Sequence, residues 1–528
     1  MIFFTSPAVP VIEQIPLIHT INEDDLILLN SPEGEWFRML NSFPWQDYRE
    51  LAAHYYDALY DFNRSESGDP DRTDDPGESE EEAKLRLLSG RATVDRDAPV
   101  LYEPEFRIPA VRAVNPLSVA PGVVPIRADG RNPKCFFALF KGFVGASLMR
   151  FSPEPETVHL LLTSNLSFAR VCGFVPKGEN DPYWQRHVPC LRKIEQFDQV
   201  MKDYGLWNQA KWDEVRRNID EGAVLRESRI VGDTTHYQAF SGFETVNYED
   251  EKGKERKKSQ SKITKNCNCE DRDDCPHPWE LSDDGAGTIV KSRTKIIWGH
   301  KAAIIGLPGQ GIPLDAAAVS DAATYDGKTF LPHVGRLFEN LPETRPWFDM
   351  ALYDSACCDQ KLRDDFLKDF GIILMTPLNP RRISTITEGL PRGMKSLTPC
   401  GTLTCGADHE AEYKGVRNGT RTFIYQAPSD ENGTPVCLSC GHRAECCPHS
   451  DNGRTVTVSF DMLPHIDPRN PPMSAGFQAV MKQRTSVERM IKRLKCDLSD
   501  SRLTKRGNDS FQAHLDKTMI AFHILLRN

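Results

Sequence analysis

The order of apolar segments in the second half of the chain restricts its fold more than any other feature. After residue 226, short β-branched runs between turn residues predict strands, and segments with apolar residues three or four positions apart predict helices. In chain order these are three strands, a helix, a strand, a helix, a strand, a cysteine-rich stretch, a strand and two helices, at 229–239, 294–305, 311–319, 330–340, 347–353, 360–370, 372–377, 385–450, 455–460, 475–495 and 511–526. This pattern predicts an α/β domain over 226–528 with an insertion near 385–450.

Three acidic residues occupy the positions that a ribonuclease-H-like α/β fold of this element order requires. Asp233 lies within the first predicted strand, Asp354 at the end of the fourth, and Glu488 on the helix after the insertion. A single acid at such a place is more often a turn former or a helix cap. Three acids in this order predict a catalytic site whose carboxylates lie on the order of 5–8 Å apart and hold two Mg²⁺ or Mn²⁺ ions.

The helix that carries Glu488 has a stripe of charged and apolar residues. Arg484, Glu488 and Lys495 share one face with Met481 and Ile491, because these positions are three, four or seven apart. The simplest interpretation is an Arg484–Glu488 ion pair on an exposed face. The functional interpretation places Glu488 at the metal ions and the two basic side chains on DNA phosphates.

Two further polar residues near these acids have structural interpretations. His236 lies three positions after Asp233 on the predicted strand, so its side chain is expected on the opposite face of the sheet. Asp326 precedes the predicted helix at 330–340 and is expected to be an N-cap.

The first 225 residues divide into two regions of different composition. Residues 1–130 form an N-terminal extension with a helix candidate at 45–62 and an acidic segment at 63–82. That segment holds nine acids, two arginines and no large apolar residue, so it predicts a disordered linker. Residues 131–225 predict a small helical domain. Its pattern suits a DNA-binding helix-turn-helix unit and equally a plain helical bundle.

Charge and hydropathy limit the partners. The net charge is -10, but 252–265 holds seven basic residues against Glu255, and 475–528 holds eleven against five acids. Basic runs are commonly just solvated faces, although two of them make a surface for double-stranded DNA plausible. No run approaches the roughly 20 apolar residues of a membrane span. The expected location is therefore the cytoplasm, with no membrane partner.

The fifteen cysteines are clustered, which favours metal binding over a disulfide framework. Cys400, Cys405, Cys437 and Cys440 have a spacing similar to that of a zinc ribbon, and Cys446, Cys447 and His449 follow closely. A second group is Cys267, Cys269, Cys275 and His277. The alternative for both groups is free thiols on loops. Cys357 and Cys358 are expected to pack in the core.

Three segments together carry a family resemblance. VGDTTHY (231–237), LYDSACC (352–358) and RTSVERMIKRLK (484–495) resemble the signature regions of bacterial insertion-sequence DDE transposases. The third is similar to the family's Tyr-x2-Arg-x3-Glu-x6-Lys motif through Arg484, Glu488 and Lys495, with Met481 in place of the tyrosine. The resemblance extends over about residues 133–528.

The resemblance implies a ribonuclease-H-like catalytic domain with a Mg²⁺ or Mn²⁺ pair on Asp233, Asp354 and Glu488. Such an enzyme binds the terminal inverted repeats of its own element, cleaves there to free 3′-hydroxyls, and joins those ends to target DNA. The resemblance also implies a homodimer on DNA and a place at the bacterial nucleoid.

Two alternatives stay open. One is a transposase-derived DNA-binding regulator without catalysis; Met481 and the extension at 1–130 favour it, whereas the presence of all three acids counts against it. The other is a different ribonuclease-H-like nuclease, such as a resolvase. The spacing of Arg484, Glu488 and Lys495 favours a transposase over that nuclease. Inverted repeats close outside the gene would decide the class.

Overall fold

The computed structural model describes most of the second half of the chain and selected segments of the first. The described ranges are 45–66, 136–174, 182–239, 244–249, 255–260, 285–290, 296–379, 384–499 and 503–527, with Trp36, Met39, Leu40, Phe43 and Asp283. The predicted cysteine group at 267–277, residues 67–82 of the predicted linker and both ends of the basic run at 252–265 lie outside them.

A six-stranded sheet lies at the centre of the described structure. The strands up to residue 375 are β1 (Arg229–Gln238), β2 (Glu244–Glu249), β3 (Glu255–Gln260), β4 (Gly287–Val290), β5 (Ile296–Leu307), β6 (Ile312–Val319), β7 (Met350–Leu352) and β8 (Ile373–Met375). Strands β5, β1, β7 and β8 lie side by side, and β4 and β6 both pair with the other edge of β5. β1 is antiparallel to β5 and parallel to β7, which is parallel to β8. The five strands predicted in this region are present, whereas the β2–β3 hairpin and β4 were not predicted.

Helices surround this sheet and precede it in the chain. They are α1 (Arg49–Glu66), α2 (Phe136–Leu148), α3 (Pro155–Ser164), α4 (Leu166–Cys172), α5 (Leu191–Asp203), α6 (Leu206–Asp220), α7 (Phe330–Asn340), α8 (Gln360–Phe370), α9 (Arg443–Cys446), α10 (Ala475–Met481), α11 (Ser486–Lys492) and α12 (Asn508–Leu526). No helix among the described residues is long and apolar enough to cross a membrane.

The helical region before β1 shares one hydrophobic core with the sheet. α12 packs against α2 and α6 on one side and against β6 on the other. Phe140, Phe197 and Trp207 from the helices belong to the same buried cluster as Ile304 and Leu314 from the sheet. The described parts of the segment predicted at 131–225 are therefore largely helical and joined to the sheet by their packing, while a role in DNA binding stays a prediction.

A close approach between β1 and β5 requires glycine at position 299. A Cβ atom on Gly299 would lie 1.9 Å from the carbonyl oxygen of Tyr237, a backbone atom in a paired strand that cannot move aside. We expect Gly299→Ala to lower the free energy of unfolding by about 1–3 kcal/mol, as overpacked cores do. Gly335→Ala in α7 is the matched control, since the atom nearest to its added Cβ would be a ring carbon of Phe370 at 3.8 Å. Urea unfolding of both variants tests this, and equal midpoints would contradict it.

A second, five-stranded sheet forms between β8 and α10. Its strands are β9 (Met394–Leu397), β10 (Leu403–Cys405), β11 (Glu410–Arg417), β12 (Thr422–Gln426) and β13 (Thr455–Ser459), all antiparallel to their neighbours. It buries a small core of its own, consisting of Leu397, Leu403, Phe423, Tyr425, Val456, Val458, Leu463 and Ile466. Because β13 pairs with β12 and buries Val456 and Val458 in this core, the unit extends past residue 450, the end expected from the cysteines.

Candidate active site

The sheet register brings the first two predicted acids together. The parallel pairing of β1 and β7 sets Val231 beside Leu352, and Asp233 and Asp354 each follow two residues later. Neighbouring strands are roughly 4.8 Å apart, and residues two apart face the same side. The two carboxyl groups therefore lie at adjacent strand positions on one face.

Local hydrogen bonds orient both carboxylates. Asp233 Oδ1 accepts from the backbone N–H of Thr234 at 2.7 Å, and Asp354 Oδ1 accepts from that of Ala356 at 2.8 Å. The second bond makes Asp354 the N-cap of a short 3-10 helix, Ser355–Cys357. The cap and the candidate catalytic role are compatible, because a carboxylate has further lone pairs to offer.

Arg484 connects the third acid to the first. Its guanidinium donates to Asp233 Oδ2 at 3.3 Å and to Glu488 Oε1 at 3.2 Å. The simple Arg484–Glu488 pair expected from the helix spacing is thus present, but the contact to Asp233 was not predicted. The Arg484 side chain is 21% exposed and that of Glu488 is 61% exposed, so Glu488 lies at the rim of the site.

Burial and repulsion between carboxylates shift the pKa values of Asp233 and Asp354, the two inner acids of the site. Burial raises the pKa of Asp233 to about 6; the carboxylates of Asp354 and Asp326 add to the rise, and the Thr234 N–H and Arg484 oppose it. Burial, with a further contribution from Asp326, also raises the pKa of Asp354. Crowded carboxylates that resist ionisation are the groups that a bound cation stabilises most.

Sequence reasoning missed a pair next to these acids. Asp326 Oδ1 accepts from Thr234 Oγ1 at 3.1 Å and from Lys301 Nζ at 2.9 Å. The N-cap prediction for Asp326 is wrong, because its carboxylate faces β1 and β5, and Thr329 precedes α7 without a side-chain cap bond. Lys301, on β5, was not among the predicted site residues.

Lys495 and Met481 lie near the site in other roles. The Lys495 ammonium donates to the backbone carbonyl of His236 and lies 5.2 Å from the centre of the Tyr237 ring. Its contact with DNA phosphate stays a prediction. Met481 packs against the hydrophobic core.

The donor set suits a hard divalent cation, although no metal ligand group is preformed. Carboxylate oxygens are the ligands that Mg²⁺ and Mn²⁺ prefer, and Asp233, Asp354 and Glu488 supply them. Within the described ranges, however, no three His, Cys, Asp or Glu side chains stand ready to hold a metal ion. Arg484, which pairs with two of the three acids, provides the positive charge there.

The predicted zinc ligands fall into two places. Cys405, Cys437 and Cys440 line one cavity beside the second sheet. Cys400 does not line that cavity. The four-cysteine set expected from the spacing is therefore not brought together as a unit. Of the two cysteines expected in the core, Cys357 is buried and Cys358 is partly exposed.

Comparisons with known proteins give a distant structural likeness. No protein-family model matches the chain, and no curated protein matches it. Among solved structures, a cryo-EM structure of the piggyBac transposase synaptic complex with hairpin DNA aligns with a TM-score of 0.31 and 9% sequence identity, over 81% of this chain and 75% of that one. A TM-score this low does not establish a common fold, so the interpretation below depends on the site residues.

Proposed function

We propose that this chain is a DDE transposase that cleaves the ends of its own mobile element and joins them to target DNA. The observation that carries the proposal is that Asp233 and Asp354 follow matching positions of two adjacent parallel strands, while Arg484 links Asp233 to Glu488 from a helix far along the chain. Convergence of acids in this order is what metal-dependent phosphodiester chemistry needs.

The sheet topology supports a ribonuclease-H-like catalytic domain. Three antiparallel strands, β6, β5 and β1, continue into the parallel strands β7 and β8 in one sheet. α7 connects β6 to β7, and α8 connects β7 to β8. The second sheet then precedes the helix that bears Glu488, as expected for an insertion before the last acid.

The residues of the site have distinct roles in this proposal. Asp233, Asp354 and Glu488 would hold the Mg²⁺ or Mn²⁺ ions, which supply activation of the attacking water or 3′-hydroxyl and stabilisation of the leaving oxygen. Arg484 balances the acids before cation binding and would then be available to a DNA phosphate. Lys301 and Thr234 hold Asp326 beside Asp233 and so keep a further negative charge at the metal position.

Double-stranded DNA is the proposed partner, bound by a homodimer. The β2–β3 hairpin carries Arg256, Lys257 and Lys258 of the basic run and is a candidate to contact phosphates. Neutralising phosphates releases counterions, so binding should weaken steeply with salt.

One observation favours a second candidate, a DNA-binding regulator without catalysis. Arg484 already pairs with both Asp233 and Glu488, and a protein that never takes up a cation would keep these pairs. Such a protein would bind element ends without cutting them.

Labelled DNA from the element's ends decides between these functions. We expect the purified chain, with Mg²⁺ or Mn²⁺, to nick that DNA at the inverted repeats and to join the freed 3′-ends to a plasmid. Chelation of the cation should stop the reaction, and scrambled DNA should not be cut. Salt-sensitive binding without cleavage under several divalent cations would favour the regulator. Cleavage that does not depend on the repeat would favour another nuclease.

A further inference from the structure

We propose that Cys405, Cys437, Cys440 and Cys446 bind a structural Zn²⁺ ion in the cavity beside the second sheet. This site differs from the one that the cysteine spacing predicts, because Cys446 replaces Cys400. It is also independent of the proposed catalytic function.

The cavity has the ligand chemistry of a zinc site. It has a volume of about 110 Å³ and is lined by these four cysteines, together with Cys447 and the imidazoles of His409 and His442. Zinc is bound by thiolate sulfur and imidazole nitrogen, and structural sites use four such ligands. A cavity that collects five thiols, one from the end of β10 and four from the segment between β12 and β13, is therefore a candidate for zinc and not for a hard cation.

The loop from Cys437 to His442 is folded around its sulfur atoms. The N–H of Cys440 donates to the carbonyl of Cys437 at 3.3 Å, which closes a tight turn between the two cysteines. The N–H of His442 then donates to Cys440 Sγ at 3.4 Å. A backbone N–H directed at a sulfur stabilises the thiolate form that a metal ion requires.

Cys446 and Cys405 both lie near Gly393 at the wall of the cavity. Cys446 Sγ lies so close to Gly393 that a Cβ atom there would be 2.8 Å from it. The carbonyl of Gly393 accepts from the N–H of Gly406, the residue after Cys405, at 3.0 Å. Gly393 therefore connects the two cysteines, which come from α9 and from the end of β10.

Positively charged neighbours would compensate the negative charge of a zinc site built from thiolates. Four thiolates with Zn²⁺ carry a charge of -2, and Arg443 and Arg454 both line the cavity. Nη1 of Arg454 is buried and has no hydrogen-bond partner in the part of the chain that the structure describes. A buried donor beside thiols is satisfied once a thiolate forms next to it.

The site would stabilise a unit with little core. The second sheet buries only the small cluster given above, and three of the four ligands lie on the segment between β12 and β13. A metal ion that joins this segment to β10 supplies folding free energy that the core does not. Because no ligand group is preformed there, binding should draw the segment closer to β10.

Metal analysis of the full-length protein tests the site. We expect one zinc per chain after purification without added metal, measured by plasma mass spectrometry, and release of that zinc by a mercurial reagent. Cys405→Ser, Cys440→Ser and Cys446→Ser should each lose the zinc. Cys400→Ser and Cys190→Ser should each retain it, because Cys400 does not line the cavity and Cys190 is exposed in another part of the fold.

Each outcome has a definite meaning. Absence of zinc in the unsubstituted protein, or retention of zinc in Cys440→Ser, overturns the site. Loss in Cys400→Ser but not in Cys446→Ser restores the ligand set expected from spacing and overturns the present one. Cys447 lies beside Cys437, so loss in Cys447→Ser with retention in Cys446→Ser would overturn the choice of fourth ligand. Iron with visible absorbance in place of zinc would overturn the identity of the metal. Circular dichroism of every variant distinguishes ligand loss from unfolding.

Discussion

Asp354→Asn is expected to abolish DNA cleavage and joining while leaving DNA binding intact. The substitution preserves the side-chain oxygen that accepts from the Ala356 N–H, so the turn after β7 should keep its shape. It removes a formal charge from the inner pair of acids, which would weaken their hold on the proposed cations. Loss of several kcal/mol of transition-state stabilisation corresponds to a decrease of about a thousandfold or more in rate.

Asp359→Asn is the matched control for that experiment. Asp359 lies five residues further on, and its side chain caps α8 by accepting from the N–H of Leu362. Asparagine caps helices about as well as aspartate, so this variant should cleave as the unsubstituted protein does. Gel shifts at several salt concentrations should be the same for all three proteins. Equal cleavage by Asp354→Asn and the unsubstituted protein would show that Asp354 is not a metal ligand.

Lys211→Met is expected to lower the free energy of unfolding by about 3–5 kcal/mol, the usual cost of removing one partner from a buried ion pair. The Lys211 ammonium lies 2.6 Å from Asp315 Oδ1 and 3.4 Å from Asp516 Oδ1, and all three side chains are at most 2% exposed. This cluster joins α6, β6 and α12. Removing the Lys211 ammonium therefore leaves two buried carboxylates with less positive charge nearby at the junction of helices and sheet. Urea unfolding measures the effect.

The pH dependence of this loss has a definite sign. Burial alone would raise the pKa of Asp315, but Lys211 and Arg336 together hold it well below its usual range. A carboxyl group whose pKa is lower in the folded than in the unfolded protein stabilises the fold at pH values above its unfolded pKa, near 3.9. This stabilisation is lost as the pH falls toward the folded pKa. The difference in the free energy of unfolding between the unsubstituted protein and Lys211→Met should therefore have its full size at pH 7 and become smaller below about pH 4.

Lys361→Met is the control for the lysine substitution, because Lys361 is exposed on α8. It should change the free energy of unfolding by less than about 0.5 kcal/mol. Adding Asp315→Asn to Lys211→Met should recover part of the loss, since the uncompensated charge is then removed. A loss below about 1 kcal/mol for Lys211→Met alone would contradict this account of the junction.

Local sequence signals were sufficient for several elements of the fold. The helix predicted at 360–370 is α8, with the same bounds. Asp359 caps its start through a side-chain bond, and Gly371 ends it in a left-handed conformation with φ of 75°. The strands that carry Asp233 and precede Asp354 could likewise be predicted in their chain order, because each is an apolar run bounded by turn residues.

Contacts between distant segments could not be read in the same way. Asp326 was expected to cap a helix, yet Lys301 and Thr234, far from it in sequence, decide its role. The cysteine spacing grouped Cys400 with Cys405, but only Cys405 lines the cavity that also holds Cys437 and Cys440. Spacing along the chain limits which residues can share an element, and it contains no information about which elements pack together.

The sequence by itself thus determined five strands of the central sheet, the helices α7, α8 and α12, and three acids at the positions where chemistry is expected. Only the tertiary structure decided that Arg484 lies between Asp233 and Glu488, that Lys211 serves two buried carboxylates, and which thiols share a cavity. The reason is physical. Helices, turns and strands depend on hydrogen bonds and side-chain periodicity within a few residues, whereas ion pairs, cavities and ligand sets depend on burial and distance between segments that only the folded core brings together.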